Sequence, residues 1–204
     1  METFLIQAVT DGLIGSLVMF ILMWLITNSG LANCNMIGAI GSIMTKDRTK
    51  ENIFGFATHL AGGVFFSLIY NLLLSEIFVK SSYFMISASV FIGFVHGLIV
   101  SYAIIAIFSE RHTDRRFQNV SIGIGIAHLV AHMVFGFTIG VLFSTQHGLI
   151  NTASFEKTNP FLVYAGMVVG AVCVLMFMFS LERRFQKTRK KQKIRKRVRQ
   201  LARH

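Results

Sequence analysis

Cysteine, proline and acidic side chains are scarce in this chain: two Cys, one Pro and nine Asp or Glu among 204 residues. Neither Cys34 nor Cys173 has a CxxC partner, and they fall at separate hydrophobic segments, so no disulfide is expected. There is no P-loop, no GxSxG, no HExxH and no Gly-rich dinucleotide turn. Their absence removes the chemistries that those patterns serve. A single HxxxH occurs, His128 with His132, and it lacks HxxHH companions. The histidine-rich di-iron membrane hydroxylases and desaturases therefore do not fit. Strand-like alternation is missing from the hydrophobic segments, which argues against a transmembrane β-barrel.

What the chain has in abundance is apolar length. Hydrophobic residues make up 53% of it, and a helix needs about 20 apolar residues to cross a bilayer core. Five windows qualify, approximately 4–27, 53–79, 83–108, 120–144 and 160–181. The predicted fold is an all-α integral membrane bundle of five transmembrane helices over residues 1–181, followed by a basic tail, 182–204. The first window is kept as a span because Met1-Glu2-Thr3 offers no positive region, and no small-x-small cleavage site interrupts the apolar run. Pro160 opens the fifth window after the polar stretch 145–159.

Charge sets the expected orientation. Lys46, Arg48 and Lys50 follow the first span, Arg111, Arg115 and Arg116 follow the third, and the tail carries twelve Lys or Arg. Only Lys80 and Lys157 fall on the other side. Under the positive-inside rule the N-terminus lies outside and the C-terminus in the cytoplasm. The sequon Asn119-Val120-Ser121 then falls on the cytoplasmic side and is discounted.

Between the first two spans, residues 34–45 are apolar but too short to cross. They suit an amphipathic helix lying on the cytoplasmic surface or a re-entrant half-helix. In the tail, Arg183, Arg184, Lys187, Arg189, Lys190, Lys191, Lys193, Arg195, Lys196, Arg197 and Arg199 surround a narrow stripe of Ile194, Val198 and Leu201. Such a basic cytoplasmic helix beside a membrane takes anionic lipid headgroups as its default counter-charge, or docks on an acidic partner. No aromatic interleaving or motif points to nucleic acid.

Small residues and histidines recur at steps of four: Gly55, His59, Gly63 and Ser67 in the second span, Ser89, Gly93, Gly97 and Ser101 in the third, His128, His132, Gly136 and Gly140 in the fourth, Gly166 and Gly170 in the fifth. Residues four apart share one helix face. Small ones let membrane helices approach closely, so these rows are expected packing seams. The functional alternative is a groove for a tetrapyrrole, a quinone or a lipid. "THLAGGVFFS" (58–67) also aligns with "AHMVFGFTIG" (131–140), and "GLIGS" (12–16) with "GFVHG" (93–97), suggesting a parallel repeat.

Four of seven histidines, His59, His96, His128 and His132, fall within spans, where ionisable groups are costly and raise a functional hypothesis by default. His128 and His132 can chelate one transition metal from one helix, with His59 or His96 completing the shell. Haem b, held by one axial histidine from each of two helices, is a second reading. A proton path through Asp11 or Glu76 is a third. Structural use is the fourth: a neutral imidazole making one hydrogen bond across the bundle. Met19, Met23, Met85, Met133, Met167, Met176 and Met178 are scattered over several segments and read as packing rather than a copper site.

The stretches "THLAGG", "GFVHG" and "AHMVFGFTIG" resemble small uncharacterised bacterial polytopic inner-membrane proteins whose helices carry a histidine followed by spaced glycines. The resemblance implies a bacterial inner-membrane location and no activity. Two functions are carried forward: a non-catalytic membrane subunit of a larger assembly, and a haem- or metal-binding membrane protein using the four histidines. A transporter stands a distant third.

Overall fold

A computed structural model of the chain describes residues 2–32, 35–78, 81–103, 112, 114–118 and 121–150. Among them the architecture is wholly helical. Helix α1 spans Glu2–Asn28, α2 Met36–Met44, α3 Glu51–Ser75, α4 Ser82–Ala103 and α5 Ile122–Gln146, with a 3-10 turn at Arg115–Phe117. All but α2 are long and apolar enough to cross a membrane. The first four predicted spans thus appear as helices, with ends shifted by a few residues. The predicted fifth span and the basic tail, with Gly166 and Gly170, lie outside the described residues.

Local chemistry sets several helix ends. Asn35 caps α2 by accepting from the Gly38 amide at 3.0 Å, and Ser121 caps α5 by accepting from the Ile124 amide at 3.3 Å. After α5 the chain turns through Gly148 at φ +64°, a left-handed conformation that glycine adopts without a Cβ penalty.

The long helices pack as two antiparallel pairs, α1 with α3 and α4 with α5, joined through α1 and α5. Glycines decide both pairs. A Cβ on Gly12 would meet the backbone of Gly63 and Val64, and one on Gly136 would meet the Ser89 carbonyl and the Gly93 Cα. The positions aligned in the internal repeat therefore do similar work: Gly12 meets Gly63 in one pair, and Gly93 meets Gly136 in the other. The register differs between the pairs. Gly63 is pressed toward Ser16, whereas Gly136 leans toward Ser89, whose hydroxyl donates to the Gly136 carbonyl at 2.6 Å. Gly15 admits the Phe135 ring between α1 and α5. Around these approaches lies the core of Met19, Met23, Tyr70, Leu74, Met85, Phe135, Ile139 and Phe143.

The short helix α2 runs back along the start of α3. Gly41 sits on the Glu51 carbonyl and Gly55 of α3 sits on the Ile37 carbonyl. The apolar run 34–45 is thus used for packing: Gly38, Ala39 and Gly41 are buried, while Ile43 and Met44 stay exposed.

Candidate functional site

One end of the bundle gathers the second half of α1, all of α2, the first turns of α3 and α5, and the last turns of α4. These elements line a half-open chamber of about 940 Å³ whose wall includes Met19, Met23, Ile37, Ile40, Phe56 and Leu60. Three imidazoles join the wall, those of His59, His128 and His132.

Each imidazole is held by a backbone carbonyl. On α5, His128 Nδ1 donates to the Ile124 carbonyl at 2.9 Å, and His132 Nδ1 donates to the His128 carbonyl at 2.7 Å. Both bonds run back one turn along their own helix. His59 Nε2 crosses to α1 and donates to the Ser16 carbonyl at 3.1 Å. His128 and His132 are buried at 3% and 7% exposure, while His59 is half-buried. His96 stands apart from the chamber wall. Its Nδ1 shares a hydrogen bond with the Tyr70 hydroxyl at 3.3 Å, and its ring meets His132 edge-on with centroids 4.5 Å apart.

This geometry bears directly on the metal and haem readings. Among the described residues no group of three His, Cys, Asp or Glu side chains is placed to hold a metal ion. The expected chelate by His128 and His132 therefore gains no third ligand from His59 or His96. The His96 and His132 rings meet edge-on with centroids 4.5 Å apart, an arrangement with no porphyrin-wide gap between that pair. The four histidines divide into a contacting pair, His96 with His132, and chamber-lining residues tied to carbonyls.

The opposite end carries a second polar group. Asp11 is fully buried; one carboxyl oxygen accepts from Gln146 of α5 at 2.8 Å and the other from Asn71 of α3 at 3.3 Å. Asn71 also donates to the Ser67 carbonyl at 3.0 Å. This knot joins α1, α3 and α5. It sits at the far end from His59 and His128, with no residue among those described bridging the two in a hydrogen-bonded chain.

Residues 3–154 match the model of a family of unknown function, DUF6789. The chain belongs to that family. No curated protein matches it, and neither does any solved structure. The DUF6789 match takes in all four long helices, the chamber and the Asp11 knot, and leaves residues 155–204 outside. Family membership covers most of the chain and brings no activity with it.

In this DUF6789 chain the same end of the bundle carries a clamp whose pairings the sequence did not foretell. Arg116 makes a two-pronged bond to Glu51, at 3.2 and 2.8 Å, and contacts Asp114 at 2.7 Å. His112 is buried: it accepts from the Asp114 amide at 3.0 Å through Nδ1 and donates to the Ala39 carbonyl of α2 at 3.1 Å through Nε2. The 112–118 connector thus grips α3 through Glu51 and α2 through Ala39. A loop histidine and a loop arginine carry no periodic signal, so only the fold reveals this clamp. Asn71 and Gln146 did carry a signal, as polar residues inside or ending apolar segments.

The clamp has a defined response to acid. Asp114 is held at about 2, below its ordinary 3.8, first by the Arg116 side chain and then by the Arg116 backbone amide. A carboxyl depressed in the folded state stabilises it fully above 3.8, and that contribution fades as pH falls from 3.8 through about 2. Amide protection at Phe117 and Gln118, which bond to the Asp114 and Arg115 carbonyls, should therefore hold from neutrality to near 3.8 and decline below it in hydrogen exchange. Arg116→Gln should lose that protection at neutral pH already.

Proposed function

We propose that this DUF6789 protein is a non-catalytic multi-pass membrane subunit, an accessory component of a larger bacterial inner-membrane assembly. Its intramembrane polar groups build the bundle: every histidine in a span is hydrogen-bonded to a carbonyl or a tyrosine of the same bundle. That observation carries the reading: the His59 and His96 bonds tie neighbouring helices together, and those of His128 and His132 satisfy one nitrogen of each imidazole within α5, without chemistry. The Gly and Ser seams at Gly63, Ser67, Gly93, Gly97, Gly136 and Gly140 serve the same end. The orientation follows from charge, with the N-terminus outside and the basic tail on anionic lipid at the cytoplasmic surface.

The competing reading, haem b or a transition metal on His59, His96, His128 and His132, predicts a visible signature. Protein gently solubilised from native membranes should give no Soret band and no stoichiometric metal by elemental analysis, and should migrate as a particle larger than one chain after cross-linking. A Soret band, one metal per chain, or a monodisperse single chain overturns the subunit reading.

A further inference from the structure

We infer that the chamber between α1, α2, α3 and α5 is a binding site for a hydroquinone-class ligand, a hydroxylated ring on an apolar tail. The inference goes beyond the subunit reading and stands independently of it. Its starting point is the pattern of protons on the three wall imidazoles.

A carbonyl oxygen can only accept, so the ring nitrogen facing it must carry the hydrogen. That places the proton on Nδ1 of His128 and His132 and on Nε2 of His59. A neutral imidazole has one donor and one acceptor nitrogen. With all three donors engaged by backbone, the remaining nitrogens, Nε2 of His128, Nε2 of His132 and Nδ1 of His59, are lone-pair acceptors. The backbone carbonyls thus fix the chamber histidines as hydrogen-bond acceptors.

The acceptors select the ligand. Set among Met, Ile and Phe side chains, an acceptor nitrogen gains from a hydroxyl and is repelled by another lone pair. A hydroquinone brings hydroxyl donors, whereas the corresponding quinone brings only carbonyl oxygens. The rest of the wall suits the rest of the molecule. Phe20 and Phe56, edge-on at 5.3 Å, and Trp24 provide aromatic surface for a ring. Met19, Met23 and Met36 provide adaptable apolar surface for a tail. A volume of about 940 Å³ lies in the range of small-molecule sites, roughly 300–1,000 Å³. Asn35 and Asn52 line the α2 and α3 side of the chamber, where their amides can donate as well as accept, so discrimination between hydroquinone and quinone falls to the imidazoles.

The chain contains a single tryptophan, and Trp24 lines the chamber, so binding has a built-in reporter. The full chain in nanodiscs would be titrated with a decyl-tailed hydroquinone under reducing conditions, with its oxidised quinone, and with decanol. Trp24 fluorescence and melting temperature would be followed in each titration. The expected result is saturable hydroquinone binding at one per chain with a raised melting temperature. The quinone and decanol should each bind at least tenfold more weakly. In H128Q and H132Q, whose amides offer a donor as well as an acceptor, the preference for hydroquinone over quinone should fall toward unity. Equal binding of quinone, equal binding of decanol, or non-saturating partition alone would each overturn the inference. The ratio of hydroquinone to quinone in the unsubstituted chain decides the matter even if both variants fail to fold.

Discussion

Gly136→Ala should destabilise the bundle by about 3 kcal/mol, the upper end of what overpacking a tight contact costs. The added methyl would meet the Ser89 carbonyl and stand 3.2 Å from the Gly93 Cα. Both obstacles are backbone, so no rotamer change relieves them, and α4 and α5 must separate to make room. Separation also stretches the 2.6 Å bond from the Ser89 hydroxyl to the Gly136 carbonyl. Gly62→Ala is the internal control: nothing lies within 4 Å of its Cβ position. Removing a mid-helix glycine there should be neutral or stabilising by up to about 1 kcal/mol. Thermal melts of the two variants in one detergent test the pair. Equal behaviour would mean that the seam between α4 and α5 is not the contact that holds them.

The second large effect is expected at Asp11. Asp11→Leu removes both acceptors from the knot: the buried Asn71 amide loses that partner, while Gln146, exposed at the end of α5, can turn to other partners. An unsatisfied buried polar group costs about 1–3 kcal/mol, while hydrogen bonds between membrane helices average about 0.6 kcal/mol because alternative partners are found. Asn71 retains its bond to the Ser67 carbonyl, which limits its share of the loss. Weighing these, we expect about 1 kcal/mol for Asp11→Leu, the low end of that range. Asn71→Ala and Gln146→Ala should each cost less than that. A double-mutant cycle between positions 11 and 146 should show a positive coupling, and additivity would remove the knot as a tie between α1 and α5.

Much of the architecture was legible in the residues, because a bilayer imposes a length and a polarity on any helix that crosses it. The windows beginning near residues 4, 53, 83 and 120 needed only about 20 apolar residues each to be recognised. The small-residue rows were legible for a similar reason: close approach in lipid requires the absence of a Cβ, and glycine records that in the sequence. Even the repeat was visible, and its aligned glycines do meet in both helix pairs.

The roles of the histidines were not legible. Spacing placed His128 and His132 on one face, which is equally compatible with a chelate, a haem ligand and a hydrogen bond. The deciding fact is which atom stands opposite each ring nitrogen, and this depends on how neighbouring helices are rotated and shifted. In the fold those atoms are carbonyls, one turn back along α5 for His128 and His132, and on α1 for His59. The clamp through His112, Arg116 and Glu51 was equally hidden, since it joins residues 65 and more positions apart in the chain. Sequence by itself determined where apolar length and small residues had to lie, because those are properties of one segment against lipid. Only the tertiary structure decided what the buried polar groups do, because a hydrogen bond belongs to two partners and the second is chosen by packing.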